Sequence, residues 1–261
     1  MDEVSRYNQT RWKALAAANA LFSRPRLDLD SDSARAMIDS DGFYGDVSGK
    51  NVLCLACGGG QQSAAFALLG ADVTVVDLSP EQLERDAQVA EHYGFDIRIA
   101  EADMRDLSAF HGQGFDIVHH AYSLNFVPNC REVFSQVGDV LCNGGLYRFA
   151  AANPFTMGVK QSDWKANGYT LSEPYAEGAI ISYDDQDWVY DRDATAKIAN
   201  PIEYRHLLST LINGVIDAGF SIRHVSDNTD MHPDPQAEPA SWDHFVAFGP
   251  PWLSFLARLE N

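Results

Sequence analysis

The chain has 261 residues, 46% of them hydrophobic, and 37 acidic against 19 basic side chains give it a formal net charge of −18. That balance argues against nucleic acid as a substrate, since phosphate binding needs clustered Lys and Arg, and against docking on anionic membranes; a salt-adapted or generally acidic proteome is an alternative source of the charge. The start, Met1-Asp2-Glu3-Val4-Ser5, is acidic and polar rather than a secretory leader, and no apolar run approaches the roughly 18 residues of a membrane span. Four cysteines and no leader predict reduced thiols and a cytoplasmic protein.

In chain order, residues 5–22 predict a helix with Tyr7, Trp12, Leu15 and Leu21 as its apolar points. An acidic loop over 27–33 follows, and Asp32 or Ser33 is placed to cap a short helix through Ile38. The stretch Lys50 to Asp77 organises the rest. Val52-Leu53-Cys54-Leu55 reads as a buried strand, Gly58-Gly59-Gly60 as a turn, Gln61 to Leu69 as a helix and Val73-Thr74-Val75-Val76 as a second buried strand tipped by Asp77, which is a βαβ unit. Glycines at the first strand-to-helix turn let a ligand approach the backbone, where the helix start offers free N–H groups. Asp77 follows Gly58 by about 20 residues, the spacing at which an acid meets ribose hydroxyls in nucleotide folds. Cys54-x-x-Cys57 is not expected to be a redox pair, because Cys54 lies inside the strand rather than at a helix start.

Ser79-Pro80-Glu81-Gln82 predicts a capping box and a helix to Tyr93, stopped by Gly94 and holding Asp77 and Leu78 in place. Ile97 to Ala100 is a third strand, running into Asp103 and Met104, and Phe115-Asp116-Ile117-Val118 opens a fourth that ends near Ala121. His119 and His120 are adjacent on that strand, so they point to opposite faces and cannot jointly grip a metal. No other metal-ligand spacing stands out, and no metal is expected. Residues 129–142 read as an amphipathic helix and Leu146 to Ala150 as strand five. Periodicity then breaks over 153–201, where Phe155, Trp164, Tyr169, Tyr175, Tyr183, Trp188 and Tyr190 stand among acids that include Asp163, Glu173, Glu177, Asp184, Asp185, Asp187, Asp191 and Asp193. A structureless stretch of about 50 residues is improbable in a compact domain, so this one predicts an inserted cap. Glu203 to Ile216 reads as a helix with His206 near its start, Phe220 to Val225 as strand six, Trp242 to Gly249 as the last strand and Trp252 to Leu256 as a packed tail.

The run Val52 to Gly60 resembles motif I of the class I S-adenosylmethionine-dependent methyltransferases, with Cys57, Gly58 and Gly60 matching; Cys54 stands where that family often has an acid and Ala56 replaces a glycine. Asp77, Asp103 and the Phe115–Val118 strand fall at family spacing. The resemblance implies a doubly wound, mostly parallel seven-stranded α/β sheet in a single domain, with residues 1–45 as a helical cover and 153–201 as a substrate cap. It implies S-adenosylmethionine as cofactor, S-adenosylhomocysteine as product and a small-molecule methyl acceptor. By position, Ala56, Gly58 and Gly60 surround the methionine part, Asp77 takes the ribose with Leu78 and Gln82 nearby, Asp103 and Met104 hold adenine, and Ala121 lines the methyl end. His206 and Tyr7 are the candidate catalytic or acceptor-binding side chains. Two alternatives stay open. An NAD-dependent oxidoreductase shares the βαβ logic but is disfavoured by Ser63 at the sixth motif position, by the missing second nucleotide half and by about 50 residues before the first strand. The other is a non-catalytic S-adenosylmethionine-binding protein, suggested by Cys54 and Ala56.

Overall fold

The computed structural model describes residues 1–183, 198–227 and 231–260. Strands β1 (Asn51–Leu55), β2 (Asp72–Asp77), β3 (Ile97–Glu101), β4 (Phe115–His120) and β5 (Leu141–Ala152) pair in parallel. Two later strands, β10 (Phe220–Ser226) and β11 (Trp252–Leu259), add antiparallel to the β5 edge, giving the order β10-β11-β5-β4-β1-β2-β3. The central strands β1 and β2 are near-continuous apolar runs because both of their faces are covered, as crossover helices require.

Neighbouring residues of β1 serve opposite cores. Leu53 and Leu55 join Phe134, Phe149 and Phe255 under the helices α5 (Cys130–Val140) and α6 (Leu208–Asp217). Val52 and Cys54 join Phe66, Val75 and Leu83 under α2 (Ser31–Asp39), α3 (Gln62–Leu68) and α4 (Pro80–Tyr93). This alternation is the period of two that a pleated strand imposes.

The first helix, α1 (Glu3–Ala17), lies across the C-terminal ends of the parallel strands. Gln9 Nε2 donates to the Leu78 carbonyl at 3.0 Å, Ser5 Oγ donates to Asp103 at 2.7 Å and Asn8 Nδ2 donates to the Phe126 carbonyl at 3.0 Å. Asp2, the residue before the helix, caps it by accepting from Ser5 N. The expected helix to Leu21 and Phe22 ends earlier; a separate 3-10 turn covers Leu21–Ser23. Within 1–45, α2 does not cover the strand ends but packs on α3.

Four features depart from the sequence reading. Trp242–Phe248 is a helix, α7, not a strand: Ser241 caps it by accepting from His244 N, and Phe245 and Val246 are its buried side. The expected tail is instead β11, wedged between β5 and β10, with Leu253, Phe255 and Ala257 facing the α5–α6 core. The expected helix at Glu203 starts only at Leu208, because Glu203–Tyr204 forms β9 and pairs with β8 (Ile180–Ile181). The capping box is half formed, since Ser79 Oγ accepts from Gln82 N but Ser79 N donates to Asp77 and not to the Gln82 side chain. The segment after β5 carries a second small hairpin, β6 (Trp164–Lys165) and β7 (Gly168–Tyr169). The expected cap residues Asp184, Asp185, Asp187, Trp188, Tyr190, Asp191 and Asp193 lie outside the described residues.

Candidate cofactor site

The site forms where β1, β2, β3 and β4 end, beside the point at which strand order reverses between β4 and β1, the place where open α/β sheets bind ligands. The turn after β1 is tight. Ala56, Gly59 and Gly60 have φ of 48°, 125° and 70°, a region that side chains with a Cβ rarely enter. Ala56 is held there by its N–H, which donates to the Val76 carbonyl at 2.7 Å. The glycines are needed by their neighbours as well as by a ligand. A Cβ on Gly58 would stand 2.7 Å from Gln82 Cβ, and one on Gly60 would stand 2.6 Å from the Arg85 carbonyl oxygen.

Contrary to the expectation of free N–H groups, the turn amides are occupied. Gly58 N donates to Asp77 Oδ2 at 2.8 Å, Gly59 N to Asp86 Oδ2 at 3.0 Å and Gly60 N to Asp86 Oδ1 at 3.2 Å. Asp77 also accepts from Ser79 N at 2.9 Å, and burial pushes its carboxyl above the usual range. A residue at this turn that the sequence reading missed is Asp86. Its signal was an acid inside the buried stripe Gln82, Leu83, Asp86, Val89 of α4.

Gln82 is 1% exposed, and neither its Nε2 nor its Oε1 bonds to a described protein group. An unpaired buried amide costs about 1–3 kcal/mol, and this one stands beside Gly58 and Gly59. Further along the strand ends, Leu78, Ala102 and Asp103 line an opening of about 470 Å³ together with Ser5 and Arg105. Asp103 accepts from Arg105 N and Nε at 3.0 Å, from Arg105 Nη2 at 2.7 Å and from Ser5 Oγ at 2.7 Å. Burial works to raise this carboxyl, but the bonds from Arg105 and Ser5 outweigh it and hold it low. Ser5 Oγ also lies 2.9 Å from Asp2 Oδ1, so its single proton can turn to Asp2 and leave Asp103 an open lone pair for a ligand N–H. Met104 packs beside this acid against the α5–α6 core.

Just past the tip of β4, Ala121 N donates to Cys57 Sγ at 3.4 Å and ties the ends of β1 and β4 together. Burial raises both the Cys54 and Cys57 thiols well above the ordinary value, so neither carries the thiolate that redox chemistry needs. His119 bonds to Tyr44 OH at 2.9 Å, whereas His120 is held between Tyr147 OH and Ser123 Oγ; burial depresses both rings to about 3, and both are neutral packing residues. Among the described residues no group of three His, Cys, Asp or Glu is placed to hold a metal.

The two candidate catalytic side chains do not reach this space. His206 is 1% exposed, with Nδ1 3.3 Å from Glu177 Oε1 and Nε2 3.3 Å from the Leu124 carbonyl; both ring nitrogens are engaged, which argues against a base. Tyr7 OH donates to the Asn200 carbonyl at 2.7 Å and fastens α1 to the chain after the insertion. A different pair stands beyond the tip of β4. Tyr122 OH donates to Glu203 Oε2 at 2.8 Å and Tyr183 OH donates to Glu203 Oε1 at 2.7 Å, with Glu203 2% exposed.

Comparison with known proteins agrees with this geometry. Residues 52–145 match the model of the family described as methyltransferase domain. YbaJ of Bacillus subtilis (strain 168), a methyltransferase otherwise uncharacterised, is 32% identical over 182 residues, covering 69% of each chain. A ubiquinone biosynthesis O-methyltransferase of Actinobacillus pleuropneumoniae serotype 5b is 32% identical over 109 residues, 40% of this chain and 47% of that one, so this chain spans about half the length of such relatives. The crystal structure of an S-adenosylmethionine-dependent methyltransferase from Mesorhizobium loti superposes with a TM-score of 0.61 at 23% identity, over 89% of this chain and 100% of that one, which shows a shared fold. The dinucleotide alternative falls on the family match and on the occupied turn amides, which leave no anion-binding loop for a pyrophosphate. The chain belongs to the class I S-adenosylmethionine-dependent methyltransferases.

Proposed function

We propose that the chain methylates an oxygen of a small hydroxylated molecule, in the cytoplasm, as a single domain whose N-terminal helix α1, within segment 1–45, covers the cofactor and whose insertion 153–201 shapes the acceptor pocket. The Gly58–Gly60 turn, with Ala56, surrounds the methionine part of the cofactor; Asp77 meets the ribose, with Leu78 and the unpaired Gln82 amide beside it. Asp103 and Met104 take adenine, and Ala121 lines the methyl end. An oxygen acceptor is supported by the relatives named as ubiquinone biosynthesis O-methyltransferases. The buried thiols, all unpaired, suit a reducing compartment. Among the described residues no helix is long and apolar enough to cross a membrane.

The observation that carries the acceptor side is the bond from half-buried Tyr122 to buried Glu203 beyond the tip of β4. Bound S-adenosylmethionine supplies an electrophilic methyl carbon. The chain has to hold the acceptor in line and exclude water, and alignment of this kind is worth roughly 7–11 kcal/mol. As the acceptor oxygen gains the methyl group, its proton passes to Tyr122 Oη while the phenol proton passes to Glu203 Oε2, so no charge is left on the product. Incubation with S-adenosylmethionine and a panel of monohydric and dihydric phenols, read as S-adenosylhomocysteine release, tests this reading. Tyr122→Phe is expected to lower kcat by about 100-fold or more with the cofactor Kd unchanged. Equal turnover in the variant, or transfer only to amines, would refute the oxygen reading.

A further inference from the structure

We infer that Asp86 is a positioning residue of the cofactor site: from α4 it fixes the backbone of the Gly58–Gly60 turn in the shape that the cofactor meets. The inference rests on the cofactor reading above and goes beyond it, because Asp86 belongs to a helix and lies outside the turn and the strand tips from which that site is built.

One carboxylate gathers three donors. Oδ2 accepts from Gly59 N at 3.0 Å, and Oδ1 accepts from Gly60 N at 3.2 Å and from Ser63 Oγ at 2.5 Å. Two successive residues with φ of 125° and 70° are thus pinned to one point on a neighbouring helix, together with the first turn of α3. These backbone conformations are the ones a glycine visits freely, so without a tether the turn would sample many shapes. Asp is a poor residue for a helix interior, and a fully buried carboxylate is costly. The titratable groups that act on it are acids: Asp77 on β2, Cys54 on β1 and Cys57 in the turn after β1. β1 itself carries only the neutral Cys54 thiol on this side of the sheet, so the buried anion behind the turn comes from α4.

Burial pushes the Asp86 carboxyl up to about 7, partly offset by the bond from Ser63. Only the carboxylate accepts all three bonds. The protonated acid turns an O–H toward a position where an N–H or O–H already points, and the turn loses a tether.

Isothermal titration of the full chain with S-adenosylmethionine and with S-adenosylhomocysteine, from pH 6 to pH 9, tests the inference on wild type and on Asp86→Asn. Wild-type affinity for both ligands is expected to fall as pH drops below about 7, whereas Asp86→Asn is at least tenfold weaker at pH 8 and lacks this pH dependence. Equal affinity and an unchanged pH profile in Asp86→Asn would overturn the inference and leave the cofactor reading intact. Absence of binding by wild type overturns both. If circular dichroism shows Asp86→Asn unfolded, Ser63→Ala decides. It removes a bond that lowers the Asp86 carboxyl, so the midpoint of the affinity profile should move to higher pH and affinity should recover at pH 9. A loss that is the same at every pH would mark a merely structural role and overturn the inference.

Discussion

Replacing Gln82 by Met should move stability and affinity in opposite directions. Gln82 is buried, and both ends of its carboxamide lack a described protein partner. Each orphan costs about 1–3 kcal/mol, so the lower end of the range for two gives about 2 kcal/mol that the native fold forgoes. Met is unbranched, similar in length and apolar, so it keeps the volume beside Gly58 and removes both orphans. The ligand-free variant should gain about 2 kcal/mol in a urea titration and melt roughly 4–8 °C higher, given about 2–4 °C per kcal/mol for a chain of this size. If the carboxamide exists to meet the cofactor, S-adenosylmethionine binding should lose one or two hydrogen bonds, which corresponds to a Kd weaker by about 5- to 30-fold in isothermal titration. A variant that melts below wild type would show that the amide is satisfied in the folded protein. A stabilised variant with wild-type affinity would show that Gln82 faces no part of the ligand.

Three further outcomes follow from the same geometry. Gly60→Ala should cost about 3 kcal/mol in a urea titration, since its Cβ would stand 2.6 Å from the Arg85 carbonyl oxygen at a φ of 70°, combining overpacking with left-handed strain. Ala56→Gly should gain about 0.5–1 kcal/mol by the same measurement, because at φ 48° the relieved strain of about 1–2 kcal/mol exceeds the flexibility that glycine adds to the unfolded chain. Half-buried His119 and buried His120 are depressed to about 3 in the fold against 6.5 when unfolded, so the unfolded chain binds more protons and stability falls as pH drops below 6.5. Each should contribute about 2 kcal/mol of that loss between pH 6.5 and 5, and His120→Gln should remove one proton from the slope of urea midpoint against pH.

The legible parts of this protein were local. Strands β1 and β2 announce themselves because burial on both faces favours near-unbroken apolar runs, and Asp77 sits one helix away from Gly58. The end of the chain was misread where aromatic density looked like a strand. Trp242-Asp243-His244-Phe245 carries a helix signal, with Ser241 as cap and Asp243 in the first turn, but seven residues are too few for period to decide. Trp252–Leu259, expected as a packed tail, pairs instead along the whole of its length with β5 and β10. The site residues that escaped detection are joined across distance. Gly59 and Asp86 are 27 positions apart, and Tyr122 and Glu203 are 81 apart, with the insertion between them. His206 drew attention through its place beside the insertion, but packing encloses it, and enclosure depends on Glu177 and Leu124, which no local pattern reveals.

The three turn amides explain why one βαβ plan serves a cationic ligand here. In a dinucleotide fold the glycine turn and helix start turn bare N–H groups toward an anionic pyrophosphate. In this chain Asp77 and Asp86 take Gly58, Gly59 and Gly60, and Asp103 stands at the next strand end. The same backbone therefore presents carboxylates where a dinucleotide fold presents donors, and the local field is negative. Such a field repels a pyrophosphate and attracts a sulfonium, so it selects the ligand by charge before any contact forms. It also predicts an order among ligands: S-adenosylmethionine, which carries the positive sulfur, should bind more tightly than S-adenosylhomocysteine at low salt. Raising ionic strength should change the ratio of their Kd values little, because the carboxylates of Asp77 and Asp86 are buried and poorly screened. A ratio that collapses to one in 0.5 M salt would place the selecting charges on the surface instead.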